Sequence, residues 1–175
     1  MSYNEDFMRR AIAISAQALD QPGLEPFGAV VVRNGKIVGE GINRSRANLD
    51  PTSHGETEAI RDAARNLGTV DLRGCELYTS CEPCPLCVAA MAIAGITRLY
   101  YAADMDQAEA ALGRLPESAR FPIDEDHLIH ECAHSLADRR TPSEQACSEE
   151  AAAILHLWAE KAIERTKDTR ETGGA

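Results

Sequence analysis

Apolar positions in the first part of the chain switch from helical to strand-like spacing. Residues 5–19 carry apolar side chains at near-helical intervals, and "QPGLEPFG" then breaks that pattern. Two apolar, β-branched runs in "GAVVVRNGKIVGEG" flank Asn34-Gly35, which is a strong short-range signal for a β-hairpin. This part of the chain therefore predicts a helix followed by a hairpin.

Helical and strand-like stretches then alternate up to about residue 103. Thr57–Leu67 predicts a helix, "CELYTS" a short buried strand, "PLCVAAMAIAG" an apolar helix and "TRLYYAA" another strand. Strands separated by helices need crossover connections, so the sheet should be partly parallel and covered by helices on both faces. The pattern predicts an α/β fold.

The pattern weakens after residue 103. It predicts a short helix over Asp106–Leu112 and a strand at "HLIHEC". A long helix is predicted over 143–168, with Ser143 as its N-cap and acidic residues near its positive end. The last seven residues, 169–175, are predicted to form a disordered tail.

Length and composition favour one soluble domain. A chain of 175 residues is long enough to bury a proper core, so a single domain is expected over 1–168. Hydrophobic residues make up 44% and aromatic residues 5%, which predicts an aliphatic core. No apolar run approaches the roughly 20 residues of a membrane span. The N-terminus opens with acids and predicts an amphipathic helix rather than a signal peptide, so a cytoplasmic location is expected.

The net charge narrows the class of partner. Proteins neutralise nucleic-acid phosphates with clustered Lys and Arg, but this chain has a formal charge of −10 and only small basic clusters, at Arg9-Arg10, Arg44 with Arg46, and Arg139-Arg140. The overall field opposes a polyanion. We therefore expect a small-molecule partner, with neither nucleic acid nor membrane bound.

Three of the six cysteines lie within seven residues, in "TSCEPCPLC". Cys84 and Cys87 follow Pro83 at a predicted helix start, where both side chains can point to one side of the first turn. A helix N-terminus lowers thiol pKa values and favours metal-binding thiolates. Structural zinc usually takes four protein ligands, but the chain has no second CxxC. Adding Cys81 gives CxxCxxC, which suggests an iron–sulfur cluster, yet the fourth cysteine is missing.

His54 is the best-placed third ligand for a metal held by Cys84 and Cys87. It begins another predicted helix, and helix N-termini that follow strands gather along one edge of an open α/β sheet. One His and two Cys leave the fourth tetrahedral position for water, as in catalytic zinc sites. Zinc brings the pKa of that water towards neutrality, and Glu56 can take and return the proton.

Simpler interpretations exist for some of these residues. Taken alone, His54 and Glu56 suit an ordinary polar helix start. Cys81 is interpreted as a buried thiol beside the site, although a closed structural zinc module with Cys81 as fourth ligand stays open as a non-catalytic alternative. The histidines of "HLIHECAHS" (His127, His130 and His134) are interpreted as surface or partly buried residues rather than a second metal site.

The pairing of His54-Gly55-Glu56 with Pro83-Cys84-Pro85-Leu86-Cys87 matches the H-x-E…P-C-x-x-C signature of zinc deaminases. The chain resembles the cytidine and deoxycytidylate deaminase superfamily over about residues 5–103. Through "PFGAVVV", "GEGIN", "DPTSHGE", "AIR" and "LYTSCEPCPLC" it is most similar to the bacterial guanine deaminases within it. Gly55 stands where those enzymes usually carry alanine.

The resemblance implies a three-layer α/β/α sandwich around a five-stranded mixed sheet, one Zn²⁺ per chain and a homodimer. The implied reaction is hydrolytic loss of an exocyclic amine from a nucleobase, with guanine as the first candidate. Cytosine, another aminated heterocycle or a nucleoside stays open as the substrate, followed by tRNA adenosine.

The resemblance also implies which residues meet the base. Asn43 matches the asparagine that hydrogen-bonds the base in this superfamily. Phe27 and Glu82 would line the pocket, and Asp104 lies where such an enzyme meets its substrate. The helix predicted over 143–168 would pack on or over the site.

Overall fold

The computed structural model describes residues 3–116, 118–120 and 123–172. The chain divides into two compact units, Met1–Ile129 and His130–Ala175. The strands are β1 (Glu25–Arg33), β2 (Lys36–Asn43), β3 (Cys75–Cys81) and β4 (Arg98–Ala103). The α-helices are α1 (Glu5–Ser15), α2 (Ser45–Asn48), α3 (Gly55–Leu67), α4 (Pro85–Ala94), α5 (Met105–Leu112), α6 (Glu125–Ala133) and α7 (Ser148–Thr172).

The first unit is built on a mixed sheet with the strand order β2-β1-β3-β4. β1 pairs antiparallel with both β2 and β3, whereas β3 and β4 are parallel and joined through α4. The predicted α/β fold with a mixed sheet is confirmed. The predicted number of five strands is wrong, because the described residues form four.

The segment "HLIHEC" forms part of α6 and not the predicted strand. The Asp124 carboxylate accepts a hydrogen bond from the His127 N–H at 2.8 Å, and the Asp124 carbonyl accepts from the Leu128 N–H at 3.1 Å. None of the helix residues is buried, so no apolar face of this segment packs in a core as a face of a buried strand would. A side-chain cap at Asp124 therefore decides the local structure.

The hairpin between β1 and β2 follows the prediction. Its turn residues Asn34 and Gly35 have φ values of 52° and 72°, the positive values that a tight type I′ turn requires. The predicted helix over 5–19 is α-helical only to Ser15 and continues as a 3₁₀ turn over Ala16–Leu19.

Two apolar cores flank the sheet. Alternate residues of β1 point to opposite faces, as the pleat requires: Ala29 and Val31 to one, Val30 and Val32 to the other. The first face packs against α3 and α4, and the second packs with Met8 and other residues of α1. The order of layers is therefore α/β/α, in agreement with the prediction.

α3 lies unusually close to β2, and glycine makes this possible. A Cβ at Gly41 would collide with the Gly55 carbonyl oxygen and the Ala59 amide, and one at Gly39 would collide with the backbone of α3 at Ala63. Since Gly55 opens α3, the glycines of β2 set the position at which that helix begins.

The second unit contains the end of α6 and the long helix α7. α7 begins at Ser148, five residues after the predicted cap Ser143, and extends through residues 169–172, which were predicted as tail. Residues 173–175 of that tail lie outside the described residues. The packing of this helix over the site stays a prediction. No helix in the described ranges combines the length and hydropathy that a membrane span requires.

Candidate metal centre and active site

Two helix N-termini bring the candidate ligands together. His54 is the N-cap of α3 and Cys84 is the N-cap of α4, with Pro85 at its first helical position. Neither N-cap residue makes a side-chain capping hydrogen bond, and the two side chains contact each other instead. Cys87 lies in the first turn of α4 and is fully buried.

The three ligand atoms have the spacing that a tetrahedral zinc ion requires. His54 Nδ1 lies 3.4 Å from Cys84 Sγ and 3.5 Å from Cys87 Sγ, and the two sulfurs are 3.8 Å apart. Zinc bonds of about 2.3 Å to sulfur and about 2.0–2.1 Å to nitrogen, at tetrahedral angles, place such atoms about 3.5–3.8 Å apart. Among the described residues, this is the one group that could hold a metal ion in this way.

The acid–base properties of these three groups suit a bound cation. The hydrogen bond with Cys87, together with the His54 ring, lowers the pKa of Cys84 to about 4. The contact with Cys84 raises the pKa of Cys87, and it also raises the pKa of His54. The cluster therefore carries negative charge on sulfur, which a divalent ion can neutralise. Binding of the ion would displace the protons that the ligand atoms share.

Glu56 lies directly beside the ligands, in the first turn of α3. Its Oε1 accepts a hydrogen bond from Thr79 Oγ1 at 2.9 Å, and its Oε2 accepts one from Cys87 Sγ at 3.3 Å. The side chain is 4% exposed, and burial raises the pKa of this carboxyl group. The raised pKa makes it easier for this carboxyl group to hold a proton between transfers.

The ligands and Glu56 open into a cavity of about 280 Å³. This volume lies near the lower end of the range for small-molecule sites, so it suits a single small ring system. Thirteen described residues line it: Phe27, Asn43, His54, Glu56, Glu82, Cys84, Met105, Asp106, Ala108, Glu109, Arg120, Ile123 and Glu125.

A model of the family described as "Cytidine and deoxycytidylate deaminase zinc-binding region" matches residues 1–103, which contain His54, Glu56 and the cysteine pair. The chain belongs to this family. The predicted resemblance, the zinc cofactor and hydrolysis of a C–N bond in a cyclic amidine are confirmed with it.

Individual relatives of this deaminase chain include two kinds of enzyme. Guanine deaminase from Bacillus subtilis is 44% identical over 108 residues, which cover 61% of the chain and 69% of that relative. A tRNA-specific adenosine deaminase from Agrobacterium fabrum is 39% identical over 103 residues, 59% of the chain and 67% of the relative.

Solved structures extend the similarity beyond the matched region. The X-ray structure of Bacillus subtilis guanine deaminase has a TM-score of 0.75 at 33% identity, covering 91% of the chain and 95% of that structure. A variant of the protein NE0047 in complex with 8-azaguanine has a TM-score of 0.58 at 31% identity, covering 65% of the chain and 67% of that structure.

Asn43 lines the cavity of this deaminase with its amide oriented by neighbours. It is the last residue of β2 and is 4% exposed. Its Oδ1 accepts hydrogen bonds from the Ser45 N–H at 2.9 Å and the Ser45 hydroxyl at 2.8 Å. Its Nδ2 donates to Glu25 Oε2 at 3.5 Å. The oxygen is thus occupied, and the amide nitrogen is the side available to a ligand.

Phe27 and Glu82 also line the cavity, and their contact with a substrate stays a prediction. A Cβ at Gly55 would collide with the Phe27 carbonyl oxygen, so the glycine lets the start of α3 approach β1 at this point. Glu82 follows β3, and its Oε2 accepts a hydrogen bond from the Met105 N–H at 3.2 Å. This bond ties the first turn of α5 to the site.

Asp104 does not line the cavity. It is the N-cap of α5, where its Oδ1 accepts from the Gln107 N–H at 2.8 Å while its own N–H donates to Gln107 Oε1 at 3.0 Å. This reciprocal capping box occupies the side chain. We therefore leave Asp104 out of the residues proposed to contact substrate.

Cys81, the two histidines of α6 and the following His134 lie outside the metal group. Cys81 is buried, and burial raises the pKa of its thiol to about 11. The His130 and His134 rings stack at 4.0 Å, and a hydrogen bond of 2.8 Å joins the His134 ring to the His130 carbonyl. His130 and His134 therefore contact each other, and they belong to no second group of metal ligands in the described part of the chain.

Several lining residues were not predicted from the sequence. They are Met105, Asp106, Ala108, Glu109, Arg120, Ile123 and Glu125, all after the matched region. The predicted helix over 106–112 marked part of this wall, but its residues form no motif. Tertiary packing alone brings them to the site.

Proposed function

We propose that the chain is a zinc-dependent hydrolase that converts guanine and water into xanthine and ammonia. The observation that carries this proposal is the tetrahedrally spaced group of His54, Cys84 and Cys87 beside the buried Glu56. The adjoining cavity of about 280 Å³ suits one small heterocycle. The similarity to guanine deaminases over most of the chain supports guanine as the substrate.

His54, Cys84 and Cys87 would hold the zinc ion. When bound, zinc supplies Lewis-acid chemistry that makes hydroxide available near neutral pH. Glu56 removes a proton from the attacking water and returns it to the leaving nitrogen. The water oxygen forms a bond to the ring carbon, the bond from that carbon to the exocyclic nitrogen breaks, and ammonia departs.

Asn43, Phe27 and Glu82 would bind and orient the ring. The Asn43 amide nitrogen donates to an acceptor on the heterocycle, because its oxygen is already occupied by Ser45. Glu82 would accept from a ring N–H, and Phe27 would form an apolar wall. Together these groups hold the reacting carbon beside Glu56 and keep bulk water out.

A tRNA adenosine deaminase is the second candidate, because one relative at 39% identity carries that activity. The net charge of −10 argues against it, since tRNA binding depends on neutralising phosphates. Tight binding of a tRNA anticodon stem-loop, weakening steeply with added salt, would reverse this order. Cytosine and other aminated heterocycles remain to be compared within the same assay.

We also propose a homodimer in the cytoplasm. α4 exposes apolar side chains, including Val88 and Ile93, which is 88% exposed. Within the second unit, α7 likewise exposes Ile154, Leu155 and Trp158. Apolar surfaces of this kind are typical of protein–protein contacts.

An ammonia-release assay on the zinc-loaded chain tests the proposed substrate. The panel is guanine, cytosine and adenine with their nucleosides, together with aminated pterins and triazines. We expect guanine to have the highest kcat/KM. A higher value for another compound would replace guanine as the substrate, and an inert panel with zinc bound would contradict the deaminase function itself.

A further inference from the structure

Arg120 lies in the cavity wall, and its side chain contacts two residues of β1. Its Nε donates to Glu25 Oε2 at 3.4 Å, and its guanidinium carbon lies 5.2 Å from the centroid of the Phe27 ring. Arg46 Nη1 donates to the carbonyl of the preceding Ala119, which ties this part of the chain to α2. The guanidinium is thus held against the cavity by an ion pair and an aromatic ring.

Arg120 is the basic residue of an otherwise acidic cavity. Apart from the ligand His54, no other basic side chain is among the described residues that line it. Five carboxyl groups line the same space: Glu56, Glu82, Asp106, Glu109 and Glu125. The charge of Arg120 acts on this environment, since it opposes the rise in the pKa of both Cys81 and Glu125. The cavity therefore pairs one strong donor with several acceptors.

Glu25 holds the N–H donors of Arg120 and Asn43 side by side. The same Oε2 atom accepts from Arg120 Nε and from Asn43 Nδ2, and the Glu25 side chain is 12% exposed. Of the Arg120 donors, only Nε is used in this pair, and its Nη groups have no hydrogen-bond partner among the described residues. A ligand in the cavity would meet these N–H groups on one wall and carboxylates on the others.

We propose that Arg120 is a specificity-determining residue that donates a hydrogen bond to a ring carbonyl of the substrate. A lactam ring, with a carbonyl next to an N–H, satisfies both the guanidinium and a carboxylate. In a ring with an amino group in place of the carbonyl, the amino N–H faces the guanidinium N–H groups, so two donors meet without an acceptor. This inference rests on the proposed function and extends it: the pocket selects oxo-heterocycles over their amino counterparts.

The test compares guanine with 2,6-diaminopurine, which keeps the 2-amino group and has an amino group in place of the carbonyl. Zinc-loaded full chains are assayed as Arg120→Gln, Arg120→Lys and the matched control Arg10→Gln, which removes a surface Arg–Glu pair outside the cavity. We expect Arg120→Gln to lower kcat/KM for guanine by about 10- to 100-fold, the value of one charged hydrogen bond. The value for 2,6-diaminopurine should change little, and Arg120→Lys should be intermediate.

Equal loss on both substrates, or no loss on guanine, would overturn the role of Arg120. Arg120→Lys keeps the charge and covers the case in which the glutamine variant does not fold. The control Arg10→Gln should match the unmodified chain on both substrates.

A binding measurement with ligands that cannot be deaminated tests the role of Arg120 independently of the proposed function. Hypoxanthine and purine differ by the carbonyl, and neither carries an exocyclic amine to lose. Calorimetry should show that Arg120→Gln weakens binding of hypoxanthine and leaves binding of purine unchanged. If guanine is not turned over, the proposed function fails while this result still supports Arg120. Equal effects on both ligands, or no hypoxanthine binding by the unmodified chain, overturn the inference.

Discussion

At the scale of single residues, the site places a carboxylic acid where water is scarce. Glu56 is held by Thr79 and Cys87 and is almost fully buried. Burial disfavours its ionised form and raises its pKa, which costs stability at a group that we propose to carry protons in the reaction. This is the usual conflict between stability and activity at a catalytic group.

Glu56→Gln should therefore stabilise the zinc-free protein at neutral and alkaline pH. Because burial raises the pKa of Glu56, the folded state holds this proton more tightly than the unfolded chain does. The stability linked to that proton is present at low pH and is lost as pH rises from the unfolded pKa, about 4.3, through the raised folded value. Thermal melts should show an advantage for the variant at about pH 8 that shrinks towards about pH 5. A constant difference across this range would contradict the assignment.

Cys81→Ser should leave zinc in place, whereas Cys84→Ser should remove it. Cys81 lies outside the ligand group, and its buried thiol is protonated at neutral pH because its pKa is raised to about 11. Zinc content measured by atomic emission distinguishes the two variants. Loss of zinc from Cys81→Ser would support a closed four-ligand structural module instead.

The metal ligands were predictable because their chemistry depends on short local spacing. His54 and Glu56 are two residues apart, and Cys84 and Cys87 are three apart, so each pair is positioned by one helix start. Arg120 was not predictable, because it enters the site through contacts with β1 that lie about 95 residues away. The capping role of Asp104 was not predictable either, because it depends on the hydrogen bonds that its side chain and backbone make with Gln107 in the folded chain.

At the scale of elements, the position of the metal ligands depends on how closely α3 packs on β2. Two glycines of β2 allow the helix backbone to touch the strand, and the start of α3 carries His54. A displacement of this helix would move His54 relative to the cysteines of α4. Tight packing of α3 on β2 therefore helps to position the metal ligand His54.

Gly41→Ala should lower the free energy of unfolding by about 1–3 kcal/mol through overpacking and should weaken zinc retention. The added methyl group would meet backbone atoms of Gly55 and Ala59, which cannot move independently of the helix. Gly35→Asn is the control, because its turn position has open space and asparagine tolerates positive φ. Chemical denaturation and zinc dissociation rates measure both effects. Equal effects of the two substitutions would contradict this account.

Elements with strong local signals were predicted correctly. The Asn34-Gly35 turn, α3 and α4 follow from turn chemistry and apolar periodicity. The segment at α6 was predicted wrongly because histidines and acids give no clear period, and the cap at Asp124 decides its structure. The start of α7 was placed at Ser143 because serine is a good N-cap, but the helix begins only at Ser148.

At the scale of the whole molecule, charge and exposed apolar surface indicate partners of different kinds. The net charge of −10 favours small neutral substrates over polyanions. The apolar residues of α4 favour association with a second chain, since a surface of this kind is costly to leave in water.

Ile93→Glu should convert the proposed dimer into a monomer. Ile93 is exposed on α4, so a charge there would be buried at the proposed contact without disturbing the core. Leu19→Glu is the control, because Leu19 is exposed to a similar degree on a different element. Light scattering at micromolar concentration measures the mass. A monomeric unmodified chain, or a dimer that survives Ile93→Glu, would contradict this interface.

The central claim is tested most directly by following xanthine formation from guanine with zinc content measured on the same samples. The unmodified chain should contain one zinc per chain and produce xanthine and ammonia in equal amounts. Glu56→Gln should keep its zinc and lose turnover by several orders of magnitude, because no other buried carboxyl group contacts the ligands among the described residues. Turnover that survives Glu56→Gln with zinc bound would contradict the assignment of Glu56 as the proton carrier.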